Sequence, residues 1–330
     1  MHITVVIPFF QRQPGLLARA IDSVLVQGSL AQIEVIVVDD GSPVAGESEL
    51  ALVKQRQLNA VKLIRQANGG VAKARNTGLD AVNLGTTIVT FLDADDAWLP
   101  NRTDNILRAF KANADCYFSD YYRLGGTRSR FEWAGLTDMN RLPIDGDVDV
   151  DLHWYHDDMM AALARGRCPV GTSTLAVRWN HETAGLRFFE GFHRCAEDHH
   201  FYAQLFSKLG ANAKIAISTK PDVECDVGVG LETSAQWGTV AGLQRIVDSS
   251  RFHTMLATSL DANEKAKLLN SDSLRDIDTE FFGNYFITAI KNKDPSIDLL
   301  KEYFSLRPVM QLGLMRGVFG LIKNRIQRKS

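Results

Sequence analysis

The sequence predicts an α/β chain in which a sheet is wound on both faces by helices. Three observations carry that expectation. Apolar runs such as ITVVIPF (3–9), IEVIVVD (33–39) and TTIVTFLD (86–93) lack polar alternation, as strands buried on both faces do. Segments with helical apolar spacing separate them. Polar clusters follow the strands, where open parallel sheets place their ligands.

The elements follow in order. Residues 3–9 form a first strand, and 16–27 a helix with Leu17, Ala20, Ile21, Val24 and Leu25 on one face. A second strand covers 33–42. Residues 47–58 read as helix and 60–66 as strand, then 71–82 as helix and 86–93 as strand. Pro100 opens a further helix, and 114–120 (ADCYFSD) reads as one more strand. Residues 123–150, rich in Gly, Asp and Arg, break the rhythm. A helix is expected over 151–165 and a strand over 172–178. The segment 196–210 reads as a helix with acids in its first turn and Gly210 at its end. Beyond about 220 the pattern is mostly helical, with a soft boundary there. The expected division is a catalytic domain over 1–220, split into halves 1–120 and 121–220, and a helical region over 221–330.

With 330 residues, 45% of them hydrophobic, the chain is long enough for a full core. A net charge of -2 gives no electrostatic case for nucleic acid as a partner. The four cysteines are scattered and form no CxxC pair, so neither a zinc site nor a disulfide framework is expected. MHITVVIPFF is too soon interrupted by Pro8 and Gln11 to read as a secretory signal, and no run approaches the ~20 apolar residues of a bilayer span. The expected location is cytoplasmic.

Among the polar clusters, FLDADDAW (91–98) places Asp93, Asp95 and Asp96 within four positions. Such carboxylates repel one another unless a cation lies among them. A hard divalent ion bridging to substrate phosphate and an acidic helix-capping turn both fit. No GxxxxGK[ST] and no GxGxxG after the first strand occurs, which disfavours P-loop and dehydrogenase chemistry. Asn68-Gly69-Gly70 before a helix could offer amides to a ligand, with Arg75 further along; a glycine turn and a solvated arginine fit as well. Glu197 and Asp198 fit a helix N-terminus or a general base. His199 and His200 fit packing or surface positions, or contact with a metal or phosphate.

Together VVIPFF, EVIVVDDGS, NGGVAKARNTGL, FLDADDAW and AEDHHFYAQL resemble, in order and spacing over about residues 1–210, the family 2 glycosyltransferases. The resemblance implies a GT-A, Rossmann-like, doubly wound mixed sheet and a helical C-terminal extension. It implies inverting transfer of one sugar from a nucleotide diphosphate sugar, with UDP the commonest nucleotide, to a glycan or lipid-linked acceptor in polysaccharide or glycoconjugate synthesis. By similarity, Pro8 and Phe9 border the base, and Asp39, with Asp40 near it, binds it. Gly70 and Arg75 meet the donor, Asp93 holds the ribose or sugar and shares the metal, and Asp95 ligates Mn²⁺ or Mg²⁺ in a DXD motif. Asp198 is the general base, with Glu197 beside it. Residues 171–173 and 185–191 fall on the acceptor side.

Gln11-Arg12 replaces the family's usual asparagine, the QxxRW signature of processive synthases is missing, and no histidine follows in 215–233 to ligate the metal. A nucleotidyltransferase, or a non-catalytic nucleotide-sugar-binding protein, are the competing readings. The first would carry a basic glycine-rich loop where PFFQRQPG stands, and the intact Asp95, Arg75 and Asp198 set argues against the second. In the tail, basic residues after Glu302 alternate with apolar ones at helical spacing. Internal packing or a homodimer contact is favoured there, with peripheral contact of 308–330 on the inner face of the membrane as the alternative.

Overall fold

The structure, a computed structural model, describes all residues except 28–30, 55–57, 123–124, 137–141, 145–150, 226–235, 261–262, 293–295 and 311–330. The expectations for residues 311–330 of the tail lie outside the described residues.

The chain divides into two units, Met1–Gly191 with Glu197–Val229, and Phe192–Ala196 with Gly230–Ser330. In the first, strands β1 (His2–Phe9), β2 (Gln32–Asp39), β3 (Val61–Arg65) and β4 (Ile88–Phe91) alternate with helices α1 (Leu16–Leu25), α2 (Gly46–Leu50) and α3 (Val71–Asp80). There follow β5 (Ala97–Trp98), α4 (Arg102–Lys111), β6 (Cys116–Ser119), α5 (Arg130–Ala134), β7 (Leu142–Pro143), β8 (Leu152–Tyr155), α6 (Met159–Ala164), β9 (Ala176–Arg178), α7 (Glu197–Leu209), β10 (Ile215–Ser218) and β11 (Val223–Glu224).

The strands assemble in the order β3-β2-β1-β4-β9-β6-β10-β8-β7. β1 pairs in parallel with β2 and β4, β2 with β3, and β6 with β10. β9 enters antiparallel between β4 and β6. It therefore joins two parallel groups whose carboxyl ends share one edge, and the sheet is mixed. Residues 3–9 of β1 are all buried, which is why the run needs no polar alternation. Even Thr4 is satisfied, its hydroxyl 2.8 Å from that of Thr86. Helix α3 lies directly against β1, since a Cβ on Gly78 would come within 2.4 Å of Val6 Cγ1. The orphan amides at the start of α1 are met by buried Glu49, which accepts from Gly15 at 2.7 Å and Ala18 at 3.2 Å.

Three expectations need correction. The helix expected over 47–58 spans only Gly46–Leu50 among the described residues, and Leu58–Ala60 is a 3₁₀ turn. Residues 151–165 are not one helix. LHWY (152–155) pairs antiparallel with β10, and only Met159–Ala164 is helical, started by Asp158 accepting from the Ala161 amide. Strand β10 was not foreseen, so neither was its partner. The segment 172–178 is a strand only over Ala176–Arg178, because Thr172–Thr174 forms a 3₁₀ turn.

A buried ion pair fastens the strand edge. Arg102, at the start of α4, donates to Asp222 at 2.6 Å, with side chains 0% and 2% exposed. Tyr117 also donates to Asp222, and Arg102 reaches Thr90 at 3.3 Å. The segment carrying Asp222 continues into β11, which pairs with β5 immediately after the aspartate cluster.

The second unit is helical over Val240–Ala257, Glu264–Asn292 and Ile297–Leu306. Its core holds Leu243, Ile246, Val247, Ile277, Phe281 and Tyr303, with the last two rings stacked 3.6 Å apart. Arg307, from the basic tail, pairs with Asp278 at 2.7 Å. Among the described residues no helix is long and apolar enough to cross a membrane.

Replacing Asp222 with Ala should leave Arg102 buried without its counter-charge. The expected cost is roughly 3–5 kcal/mol, read as a lower urea midpoint for the first unit.

Candidate active site

The acidic cluster begins two residues beyond β4, at Asp93. Its three aspartates are not equivalent. Asp96 is buried and accepts from the Ser173 hydroxyl at 2.5 Å, while that same oxygen accepts the Asp93 amide at 3.0 Å. Ser173 thus locks the turn, helped by the Asp96 amide donating to the Asp93 carbonyl at 3.0 Å. Asp95 is half-buried, and its carbonyl accepts from Arg19. The Asp93 side chain is 38% exposed. Asp93 and Asp95 are therefore the carboxylates left toward solvent.

The cation among these acids is Arg75. It is 3% exposed, so it is not a solvated arginine. Its two terminal nitrogens donate to Asp93 at 2.8 Å and to Glu197 at 3.0 Å. Burial opposes the guanidinium's charge, but Asp93, Glu197 and Asp198 outweigh it and raise its pKa. The Phe188 ring lies 5.1 Å from the guanidinium carbon. Phe188 stacks on Phe201 of α7 at 4.3 Å and meets Phe91 of β4 edge-on at 5.2 Å. Asn76, next to Arg75 on α3, grips the Phe188 backbone in both directions, at 2.8 and 2.9 Å, and bonds Glu190 at 2.9 Å. One turn of α3 thus fixes β4, the 186–190 segment and α7 together.

Glu197 and Asp198 open α7. Ala196, just before them, holds φ at 75° without being glycine. The Glu197 carboxyl is pushed up to about 7 by burial and by the charge of Asp198, against the pull of Arg75. Asp198 accepts its neighbour's amide, from His199, at 2.7 Å. His200 is half-buried, 3.0 Å from Gln204, and burial lowers its pKa. The rings of His199 and His200 pack toward Tyr202 and Phe189.

At the glycine loop the amides follow the turn reading rather than the ligand reading. Gly69 and Gly70 both donate to the Asp40 carboxylate at 2.8 Å, so these two donors close a loop rather than facing a ligand. Gln66 adds a third bond to Asp40 at 2.8 Å. Asp39, fully buried, accepts from the Ser42 and Gly46 amides at 2.7 and 3.0 Å. Both acids shape the loops at the sheet edge. Pro8 is buried and Phe9 puts its side chain into the core, whereas Phe10 is the exposed ring there.

Residues 4–165 match the family described as Glycosyl transferase family 2. Over this span, just under half of its length, the chain is similar to the family 2 glycosyltransferases. The succinoglycan biosynthesis protein ExoW of Rhizobium meliloti is 42% identical over 134 residues, 37% of this chain and 41% of that protein. The minor teichoic acid biosynthesis protein GgaA of Bacillus subtilis is 32% identical over 109 residues, 32% of this chain and 24% of that protein. The chain thus spans less than half the length of these relatives. Among solved structures, S. aureus TarS 1-349 superimposes with a TM-score of 0.56 at 16% identity, over 93% of this chain and 81% of that one. The mannosyltransferase PcManGT of Pyrobaculum calidifontis, in complex with GDP-Man and Mn²⁺, gives 0.55 at 17% identity, over 94% and 80%. Both likenesses are of fold, and the fold is of the GT-A type.

In the first unit, the sequence pattern did not mark Ser173 as a lock on the aspartate turn or Asn76 as the clamp on 186–190. Asn76 sits inside the quoted NGGVAKARNTGL run, and its position one residue after Arg75 was the available signal. Nothing local marks Ser173 as a partner of Asp93.

The raised Glu197 pKa has a definite sign in stability. Below pH 4.5 the carboxyl is protonated in both states. Between 4.5 and about 7 the unfolded chain loses that proton while the folded chain keeps it, so this group costs stability as pH rises. Glu197→Gln should remove that slope. Melting temperatures of both proteins from pH 4 to about 8 should diverge in favour of the variant up to pH 7 and run parallel above it.

Proposed function

We propose that the chain is an inverting glycosyltransferase. It moves one sugar from a nucleotide diphosphate sugar, with UDP the favoured nucleotide, to a hydroxyl of a glycan or lipid-linked acceptor in polysaccharide or glycoconjugate synthesis. The observation that carries this reading is Arg75, which ties the Asp93 carboxylate to the acidic start of α7. The match of residues 4–165 to family 2 supports it. So do relatives named for succinoglycan and minor teichoic acid biosynthesis, and a structural neighbour in complex with UDP-GlcNAc.

The residues present fit a divalent cation in part. Asp93 and Asp95 offer hard oxygen donors, but among the described residues no cluster of three or more metal-ligating side chains is assembled. When bound, Mn²⁺ or Mg²⁺ would neutralise charge on the donor diphosphate. Asp93 and Asp95 would hold it.

The protein's own groups divide the remaining work. Asp198 takes the proton from the acceptor hydroxyl, whose oxygen then attacks the anomeric carbon from the face opposite the diphosphate. The bond to the diphosphate breaks and the anomeric configuration inverts. Glu197, held by Arg75, sets the field around Asp198. Arg75 acts from beneath the site by fixing Asp93 and Glu197. Asp39 and Asp40 hold the nucleotide-side loops, and Pro8 and Phe10 lie at the end of β1 beside them.

Asp198→Asn should retain donor affinity and lose transfer by about 10²–10⁴-fold; transfer at the wild-type rate would place the base elsewhere. In Asp95→Ala, calorimetric UDP affinity should become the same with and without Mn²⁺. A persisting metal-dependent gain would remove Asp95 from the metal site.

A further inference from the structure

The sheet edge carries a second feature that the reaction above does not use. β9 is antiparallel to both β4 and β6, so β4 and β6 end on the same side. The chain leaving β6 turns at Asp120, whose carboxylate accepts the amides of Tyr121 and Phe131 at 2.9 Å each. That turn delivers α5, closed at its start by a reciprocal Ser129–Glu132 capping box. The Arg130 guanidinium carbon lies 4.2 Å from the centre of the Trp133 ring. Arg167, arriving after α6, places its own guanidinium carbon 4.8 Å from the same ring and donates to the Trp133 carbonyl at 3.1 Å.

Neither guanidinium has a carboxylate partner among the described residues, and Arg130 Nε is buried without an acceptor. Segments 128–133 and 165–167 together hold four arginines against one acid, Glu132, which bonds the Ser129 amide at 3.0 Å. From Arg167 the chain runs in five residues to Thr172, whose hydroxyl lies 2.8 Å from that of Tyr202, one turn of α7 after the proposed base. Burial pushes the Cys168 thiol, adjacent to Arg167, up to about 12; Arg130 pulls it down and Asp198 pushes it further up.

Two like charges over one indole repel, and attraction to the ring offsets only part of that. An anion bound by both guanidiniums would relieve the repulsion. Two guanidinium forks match the several oxygens of a phosphoryl group better than a single carboxylate. We propose that Arg130 and Arg167, braced on Trp133, bind a phosphoryl group carried by the acceptor. This rests on the glycosyltransferase reading and narrows its acceptor to a phosphorylated one.

The test uses the full chain with UDP and Mg²⁺ saturating, so that the donor side is filled, and titrates methyl phosphate calorimetrically. Wild type should bind it. Arg130→Gln and Arg167→Gln should each weaken that binding about tenfold or more, with UDP affinity unchanged. Arg167 is exposed, so its variant decides the matter if Arg130→Gln fails to fold. No methyl phosphate binding by wild type, or equal binding by the folded variants, overturns the proposal. No binding of UDP, GDP or dTDP by wild type would instead sink the glycosyltransferase reading, and methyl phosphate titration without nucleotide would still read the arginine pair.

Discussion

A buried guanidinium shared by two carboxylates organises this site. Arg75 has almost no contact with water, so its charge is tolerable only with partners in place. Those partners are Asp93 beyond β4 and Glu197 at the start of α7, separated in sequence by about a hundred residues. Were both missing, the charge would be buried and unpaired. The same requirement that stabilises the fold therefore fixes the spacing between the acidic edge and the acidic helix start. The aromatic group of Phe91, Phe188 and Phe201 beneath the guanidinium makes the arrangement stiff, and Asn76 adds a hydrogen-bonded clamp.

The same logic recurs along the edge. Asp40 takes the glycine amides that open α3, Asp39 takes those of the following loop, and Asp120 takes those that open α5. Buried carboxylates are stable there because backbone donors surround them. Asp222 uses arginine and tyrosine instead. Several acids that look like candidates for chemistry are thus structural, and what remains toward solvent is a short set: Asp93, Asp95 and Asp198.

The insertion of β9 matters for the same reason. An antiparallel strand between β4 and β6 brings Thr172–Thr174 across the end of β4. That path puts the Ser173 hydroxyl between Asp93 and Asp96. The 3₁₀ turn is therefore part of how the aspartate cluster is held, and it carries the chain from the α5–α6 region back to the centre of the sheet.

The sequence by itself determined the alternation of buried strands and amphipathic helices, because continuous Val and Ile runs in 3–9 and 33–39 leave no other fate for so much apolar surface. It also determined which residues stand at strand ends, since that follows from local pattern alone. Only the tertiary structure decided which of those residues face solvent. The partner of Gly69 and Gly70, the burial of Arg75, the pairing of 152–155 with β10 and the role of Ser173 all depend on contacts between distant segments. A local window holds one half of each such contact, and hydrogen-bond satisfaction inside the fold supplies the other.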